Sequence, residues 1–195
     1  MNRNLARWMM VLAVLALPRI GWGMKVLPLT IEERMERADW VFVGTCVEKR
    51  SEIDLTLDRV VTYYTFSVSE VIKGKMGTRV TFKQYGGEVA GRSTRILGMP
   101  TYQEQEEIVL FLRPESRFGF SSPVGAFQGM YPVVLDRAAK KKVVYVPDRD
   151  ARAAGMSAPK IAPPDSILPP PVGSPIPLEN FIAALRRMVK AKDRR

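Results

Sequence analysis

Apolar residues between residues 40 and 146 fall in short runs that are typical of β-strands. Some runs alternate with polar residues and others are apolar on both faces, and Gly, Pro or charged residues separate them. They predict strands at Trp40–Val47, Val60–Ile72, Val80–Gln84 and Glu107–Leu112, followed by a hairpin of Gln128–Leu135 with Lys142–Val146. The pattern therefore predicts a mostly β fold.

The first two strands contain local irregularities. Gly44 lies inside an apolar run, where a glycine indicates a bulge or a sharp bend. In the second strand the apolar alternation slips by one residue at Ser69 and Glu70, and a β-bulge is the simplest way to keep both halves on the core face. The polar residues 48–58 predict a loop or a frayed hairpin end.

Helical patterns flank the strands. Thr30 and Glu33 have capping-box spacing and predict a short helix from Ile31 to Ala38. Residues 178–195 predict a basic amphipathic helix that docks on the sheet. Its apolar stripe consists of Phe181, Ile182, Leu185, Met188 and Val189. Residues 155–177 hold eight prolines and predict a linker or a strap across the body.

Residues 1–23 have the pattern of a cleavable secretory signal. Arg3 and Arg7 precede an unbroken apolar run, Trp8–Leu17, which is too short to span a hydrocarbon core of about 30 Å. A cut before Met24 would follow two small residues. The pattern predicts an exported protein, periplasmic or extracellular; the alternative is an uncleaved anchor or a buried helix.

Composition excludes several chemistries. The chain has no histidine, which removes His-based triads, His–Cys dyads and His metal ligands. Its single cysteine, Cys46, lies in an apolar strand and is expected to be a buried, inert thiol. The net charge is +10, of which the signal carries +3 and residues 178–195 carry +4. The remaining +3 on residues 24–177 weighs against a nucleic acid partner.

Residues 86–93 nearly match the phosphate loop G-x-x-x-x-G-K-[ST]. Arg92 stands where the motif needs lysine, and Gly98 and Pro100 leave little room for the helix that must follow. Nucleotide binding is therefore not predicted.

Acidic residues give two further partial motifs. Asp148 and Asp150 match the start of a calcium loop but not its remaining ligands. Glu104, Glu106 and Glu107 are close in sequence, yet their spacing identifies no partner acid or base. The sequence predicts no catalytic residue, no metal and no cofactor.

The segment from Gly86 to Glu106 is the most site-like region. It is long for a connection within a compact domain, and such loops often bind partners or are disordered. Its predicted contact residues are Arg92, Arg95, Met99 and Tyr102. The alternative is that the segment only fills space between strands.

Three segments together resemble a known family. They are Ala38–Thr45, with A-D-x-V-F-x-G, Tyr64–Gly74, with F-x-V-x-x-V-x-K-G, and the apolar strand Glu107–Leu112. The pattern is similar to the OB-fold modules of netrins and tissue inhibitors of metalloproteinases, and to exported bacterial proteins with a Gly-Met-Pro segment. The resemblance implies a five- to six-stranded OB-like barrel over residues 24–154, with a helix on either side.

The chain departs from this family at the residues that carry inhibition. The inhibitors reach the zinc of their target through an N-terminal cysteine, whereas the predicted mature N-terminus here is Met24 and Cys46 lies within a strand. The disulfides of the family are also missing. The resemblance therefore implies the fold but not the inhibitory mechanism.

These observations favour a non-catalytic exported binding module whose partner is another exported or envelope protein, with a protease as one candidate. The alternative is an envelope-associated structural protein that uses the basic helix of residues 178–195 on anionic lipid or polymer. An enzyme that uses carboxylates is the third hypothesis.

Overall fold

The computed structural model describes residues 27–137, 139–156 and 173–192. The predicted signal and most of the Pro-rich segment lie outside the described residues. Helices occupy Ile31–Arg37 (α1), Asp148–Ala153 (α2) and Leu178–Lys192 (α3), and a 3₁₀ turn occupies Ala126–Gly129. The strands are Trp40–Asp54 (β1), Arg59–Lys73 (β2), Arg79–Tyr85 (β3), Gly87–Val89 (β4), Arg92–Thr94 (β5), Glu107–Leu112 (β6), Met130–Asp136 (β7), Lys141–Val146 (β8) and Ser174–Pro177 (β9).

Seven strands form one antiparallel sheet in the order β3-β2-β1-β6-β7-β8-β9, and β4 pairs with β5 in a separate hairpin. The predicted mostly β fold is confirmed. The ladders of the described residues do not close the sheet into a barrel. The polar residues after position 47 extend the β1–β2 hairpin, with Glu48 paired to Thr65 and Asp54 paired to Arg59.

The β1–β2 ladder contains the predicted bulge. Val43 pairs with Glu70 and Gly44 pairs with Val68, so Ser69 has no partner residue on β1. The Ser69 hydroxyl donates to the Val43 carbonyl at 3.2 Å, which satisfies a group that the bulge leaves open. A Cβ at Gly44 would lie 3.0 Å from the Ser67 carbonyl oxygen, so the close approach of the two strands favours glycine.

The sheet buries a different cluster on each face. One cluster is largely aromatic and includes Phe42, Cys46, Tyr64, Phe66, Phe82 and Tyr102. The predicted burial of Cys46 is confirmed, and that burial raises the pKa of its thiol. The other cluster joins aliphatic residues of β1, β6 and β8 to residues of α1 and α3.

Helix α3 docks on the sheet through its apolar stripe, as predicted. Phe181, Ile182 and Leu185 are buried, and Met188 and Val189 pack against the same cluster. The Phe181 ring lies 4.9 Å from the ring of Tyr131, centroid to centroid. The apolar face of α3, which would have to enter a lipid surface, therefore packs against the sheet.

Helix α1 is fixed at both ends. The Thr30 hydroxyl accepts from the Glu33 amide at 3.2 Å, and the Thr30 amide donates to the Glu33 carboxylate at 2.8 Å, which completes the capping box. At the other end, Lys73 Nζ donates to the carbonyls of Met35, Glu36 and Ala38. Lys73 belongs to the F-x-V-x-x-V-x-K-G motif that carries the family resemblance. In this chain it has a structural role, because it donates to carbonyl groups that have no donor within the helix.

Replacing Gly74 with alanine is expected to lower the free energy of unfolding by about 2 kcal/mol or more. Gly74 has a φ of +87°, and a Cβ would lie 2.5 Å from the Asp39 carbonyl oxygen and 2.7 Å from the Trp40 ring. Gly91→Ala is the control, since its φ is +73° but nothing lies within 4 Å of the added Cβ. Urea denaturation of both variants measures the difference; equal losses would contradict the role of the close contact.

Candidate functional site

The segment that resembles a phosphate loop folds as the β4–β5 hairpin, in which Gly87 pairs with Thr94 and Val89 with Arg92. No helix follows it among the described residues up to position 125. The Arg92 guanidinium lies 3.1 Å from the Asp58 carboxylate, and both side chains are largely exposed. Arg92 thus tethers the hairpin to the β1–β2 turn.

Tyr102 is a core residue, so its prediction as a contact residue is wrong. Its side chain is completely buried, with its ring centroid 4.8 Å from that of Tyr64 and 5.3 Å from that of Phe66. Burial raises the pKa of its hydroxyl well above the usual range. An aromatic residue within a polar loop pattern has no local signal that separates burial from exposure.

Met99 lines a groove of about 420 Å³ beside the outer strand β3. We call it the β3 groove, and its main lining residues are Tyr85, Met99, Arg113, Glu115, Phe118 and Phe120. The rings of Tyr85 and Phe120 are stacked with centroids 3.8 Å apart and planes 8° apart. Phe118 also lines the groove and is about half exposed.

Hydrogen bonds fix the walls of the β3 groove. The Ser121 amide donates to the Lys83 carbonyl at 2.9 Å, and the Ser121 hydroxyl donates to the Arg113 carbonyl at 2.6 Å. The Gln84 amide nitrogen donates to the Pro100 carbonyl at 2.6 Å, which holds the loop that carries Met99. The stacked rings and the loop are therefore positioned by contacts that need no ligand.

Three arginines lie in the β3 groove or on the segments that form it. Arg113 lines it, and the Arg117 guanidinium carbon lies 4.7 Å from the Phe118 ring centroid. Arg95 is exposed on the loop that carries Met99. Within the described ranges, none of these three arginines forms a salt bridge, and Glu115 is the single carboxylate on the groove wall.

Large apolar side chains are exposed beside the groove. Tyr85 and Ile96 are 39% exposed, Phe118 is 52% exposed and Leu97 is 72% exposed. The Phe127 amide donates to the Gly98 carbonyl at 3.2 Å, which anchors the loop to the 3₁₀ turn. The ring of Phe127 on that turn is also exposed, and exposed apolar side chains that lie together mark interaction sites.

A second groove of about 510 Å³ is lined by Phe127 and by residues of the β7–β8 hairpin. Buried Arg34 and Tyr131 contribute to its lining. Arg34 forms a salt bridge with the buried carboxylate of Asp150 and donates to the Gln128 carbonyl at 2.7 Å. This ion pair joins α1 to α2 and to the 3₁₀ turn.

The acidic residues of the partial motifs serve structural contacts. Asp150 pairs with Arg34, and the Asp148 carboxylate accepts from the Ser174 hydroxyl at 2.7 Å. Glu107 pairs with Lys142 at 2.7 Å, while Glu104 and Glu106 accept from backbone amides. Among the residues described, no group of three or more His, Cys, Asp or Glu side chains is placed to hold a metal ion.

Helix α3 keeps its basic side chains exposed. Arg186 lies 2.9 Å from Glu70 and Lys192 lies 3.7 Å from Glu36, so part of this charge is paired within the molecule. In the part of the chain that the structure covers, no helix has the length and apolar character needed to cross a membrane.

Sequence reasoning placed Arg95 and Met99 near the site and missed Tyr85, Arg113 and Phe118. The run Ser116–Phe120 offered a signal, because it sets aromatic residues beside an arginine and a glycine outside any strand pattern. No protein-family model, no curated protein and no solved structure matches the chain.

Proposed function

We propose that this chain is a non-catalytic exported binding module that contacts another exported or envelope protein through the β3 groove and the adjoining loop Ile96–Met99. The observation that carries the proposal is the set of exposed large apolar side chains at a groove whose arginine, Arg113, forms no salt bridge with any described residue. Aromatic residues, Met and Arg are the side chains that protein–protein interfaces favour. An exported protease is one candidate partner.

The contacts of the carboxylates support binding over catalysis. The acidic residues that could have formed a catalytic pair accept from backbone amides or pair with Arg34 or Lys142. They lie outside the lining of the β3 groove, where Glu115 is the one carboxylate. A groove lined by one acid and one arginine, with Arg117 and Arg95 on the adjoining segments, is suited to recognition.

We also infer an OB-like arrangement for the sheet. Phe120 forms a parallel bridge with Lys83 of β3, and Pro123 forms an antiparallel bridge with Leu112 of β6. These two single-residue bridges bring the segment 120–124 to the outer edge of β3 and to the end of β6, which supports the OB-like arrangement. The OB-fold is a partly open, five-stranded barrel that serves many binding functions.

The envelope-associated alternative would depend on the basic side chains of α3, because its apolar stripe is turned toward the sheet. Co-sedimentation with vesicles that contain anionic lipid distinguishes the two ideas. Arg187→Glu should reduce sedimentation under the alternative and leave partner binding unchanged under the main proposal.

Replacing Leu97 and Phe118 together with serine is expected to reduce recovery of the partner about tenfold or more, because exposed aromatic and apolar anchors carry most of the energy of such interfaces. The measurement is affinity capture from envelope and secreted fractions by the tagged full chain. Leu55→Ser is the matched control, since Leu55 is 92% exposed on the β1–β2 turn and does not line the groove.

Equal recovery by the wild type, the double variant and the control would reject the β3 groove as the contact surface. Recovery of no partner, together with turnover of a small substrate by the pure protein, would reject the binding module altogether.

A further inference from the structure

We propose that the β3 groove recognises an acidic segment of the partner, with one large apolar or aromatic side chain of that segment inserted between Tyr85, Met99 and Phe118. This inference rests on the proposed function, because it specifies the chemistry of the partner at the same site. Its two elements are an apolar anchor position and a positive rim.

The anchor position has the size and rigidity that an inserted side chain needs. Its volume of about 420 Å³ holds one large side chain with the adjoining backbone. Phe120 is 9% exposed and supports Tyr85 from behind through the stacked pair. Because Ser121 and Gln84 already hold the walls by hydrogen bonds, an entering side chain would order few groups, which favours affinity.

The positive rim selects the residues next to the anchor. Arg113 has no carboxylate partner among the described residues, and neither has Arg117, which stacks over Phe118. Lys83 is different, since its ammonium lies 3.2 Å from Asp54 and 4.3 Å from the Phe120 ring centroid. Acidic residues on both sides of an inserted aromatic side chain would reach the two available guanidinium groups.

The same surface is poorly suited to single-stranded nucleic acid. Binding of that kind uses a succession of open aromatic faces along a positive channel. Here one face of Tyr85 is covered by Phe120, Phe118 is the more exposed of the two rings on the groove wall, and Glu115 adds a negative charge there. The arrangement fits one anchor with acidic neighbours better than a row of stacked bases.

The test measures binding of short labelled peptides to the full chain by fluorescence anisotropy. The probe is a capped octapeptide with one central Trp flanked by Glu and Asp, compared with the same peptide carrying Gln or Lys flanks and with one carrying Ala for Trp. We expect the acidic Trp peptide to bind about tenfold more tightly than the Gln-flanked or Ala-containing peptide. The preference over Gln flanks should decrease as salt is added.

Arg113→Gln should weaken binding of the acidic peptide about fivefold and leave the Gln-flanked peptide unchanged, consistent with a charge-assisted contact worth about 1 kcal/mol. Arg187→Gln is the matched control, because Arg187 is exposed on α3 and does not line the β3 groove. Arg187→Gln should bind all peptides as the wild type does.

The outcomes separate this inference from the proposed function. Equal affinity for acidic and Gln-flanked peptides, or tighter binding of an oligothymidylate than of the acidic peptide, would overturn the acidic specificity. If the peptides showed no acidic preference but Phe118→Ser still lost the partner in affinity capture, the proposed function would stand without the acidic specificity. If capture did not depend on Leu97 and Phe118, the proposed function itself would fail.

Discussion

Arg34→Met is expected to lower the free energy of unfolding by about 3–5 kcal/mol, measured by urea denaturation followed by circular dichroism. Arg34 is 2% exposed and Asp150 is 1% exposed, so their ion pair lies in the interior. Methionine fills much of the volume of arginine but leaves the Asp150 carboxylate as an uncompensated buried charge. Arg149, whose Nε lies 3.5 Å from the same carboxylate, can compensate only in part because it is half exposed.

Two variants test this explanation. Arg37→Met removes an exposed pair with Glu33, 3.8 Å apart in the same helix, and should change stability by less than about 0.5 kcal/mol. The double variant Arg34→Met/Asp150→Leu should recover most of the loss, because it removes both charges. A double variant as unstable as the single one would mean that packing, and not charge, explains the effect.

Phe181→Ala is expected to cost about 3–5 kcal/mol of the free energy of unfolding. Phe181 is completely buried between α3 and the sheet and packs against Tyr131. The truncation removes a large apolar side chain from the contact that attaches α3, so the apolar stripe of the helix would become accessible. Urea denaturation gives the first effect, and binding of a hydrophobic dye in the absence of denaturant gives the second.

Lys190→Ala provides the comparison for Phe181→Ala, because Lys190 is exposed on the same helix and alanine suits a helix. It should change stability by less than about 0.5 kcal/mol. Similar stability of the two variants would show that α3 contributes little to the folded state.

The elements with local signals could be predicted from the sequence. The capping box of Thr30 and Glu33 defines α1, and the slip at Ser69 predicts the bulge that the β1–β2 register shows. Strand β9 had no such signal, because two of its four residues are prolines and prolines are rare in strands except at sheet edges. Strand β9 forms because it pairs with β8, and no local sequence pattern indicates this pairing.

The buried ion pair of Arg34 and Asp150 also combines one feature with a local sequence signal and one without. Ile31, Arg34 and Met35 share one face of α1, so the helical spacing already places Arg34 among apolar residues. Its partner Asp150 is 116 residues away in the chain, and only the packing of α2 brings the two together. The sequence therefore contained a sign that Arg34 is buried but none that identified its counter-ion.

The candidate site also combines a segment with a local signal and a segment without one. The length of its loop predicts Met99 as a site residue, but the opposite wall comes from residues 113–122. These two segments meet only because both pack beside β3, as the contacts of Lys83 with Ser121 and of Gln84 with Pro100 record. Tyr102 was misassigned because its burial depends on Tyr64 and Phe66, which lie in a distant strand.

Each outer strand of the sheet has backbone groups that are missing or already occupied. Pro175 and Pro177 remove two amide donors from β9, and Ser121 occupies the Lys83 carbonyl on β3. These positions disfavour the addition of a strand by a partner, a binding mode that uses backbone hydrogen bonds and tolerates many sequences. Recognition would depend on side chains such as Arg113 and Phe118, so that a single codon change could redirect the protein to a different partner without disturbing its fold.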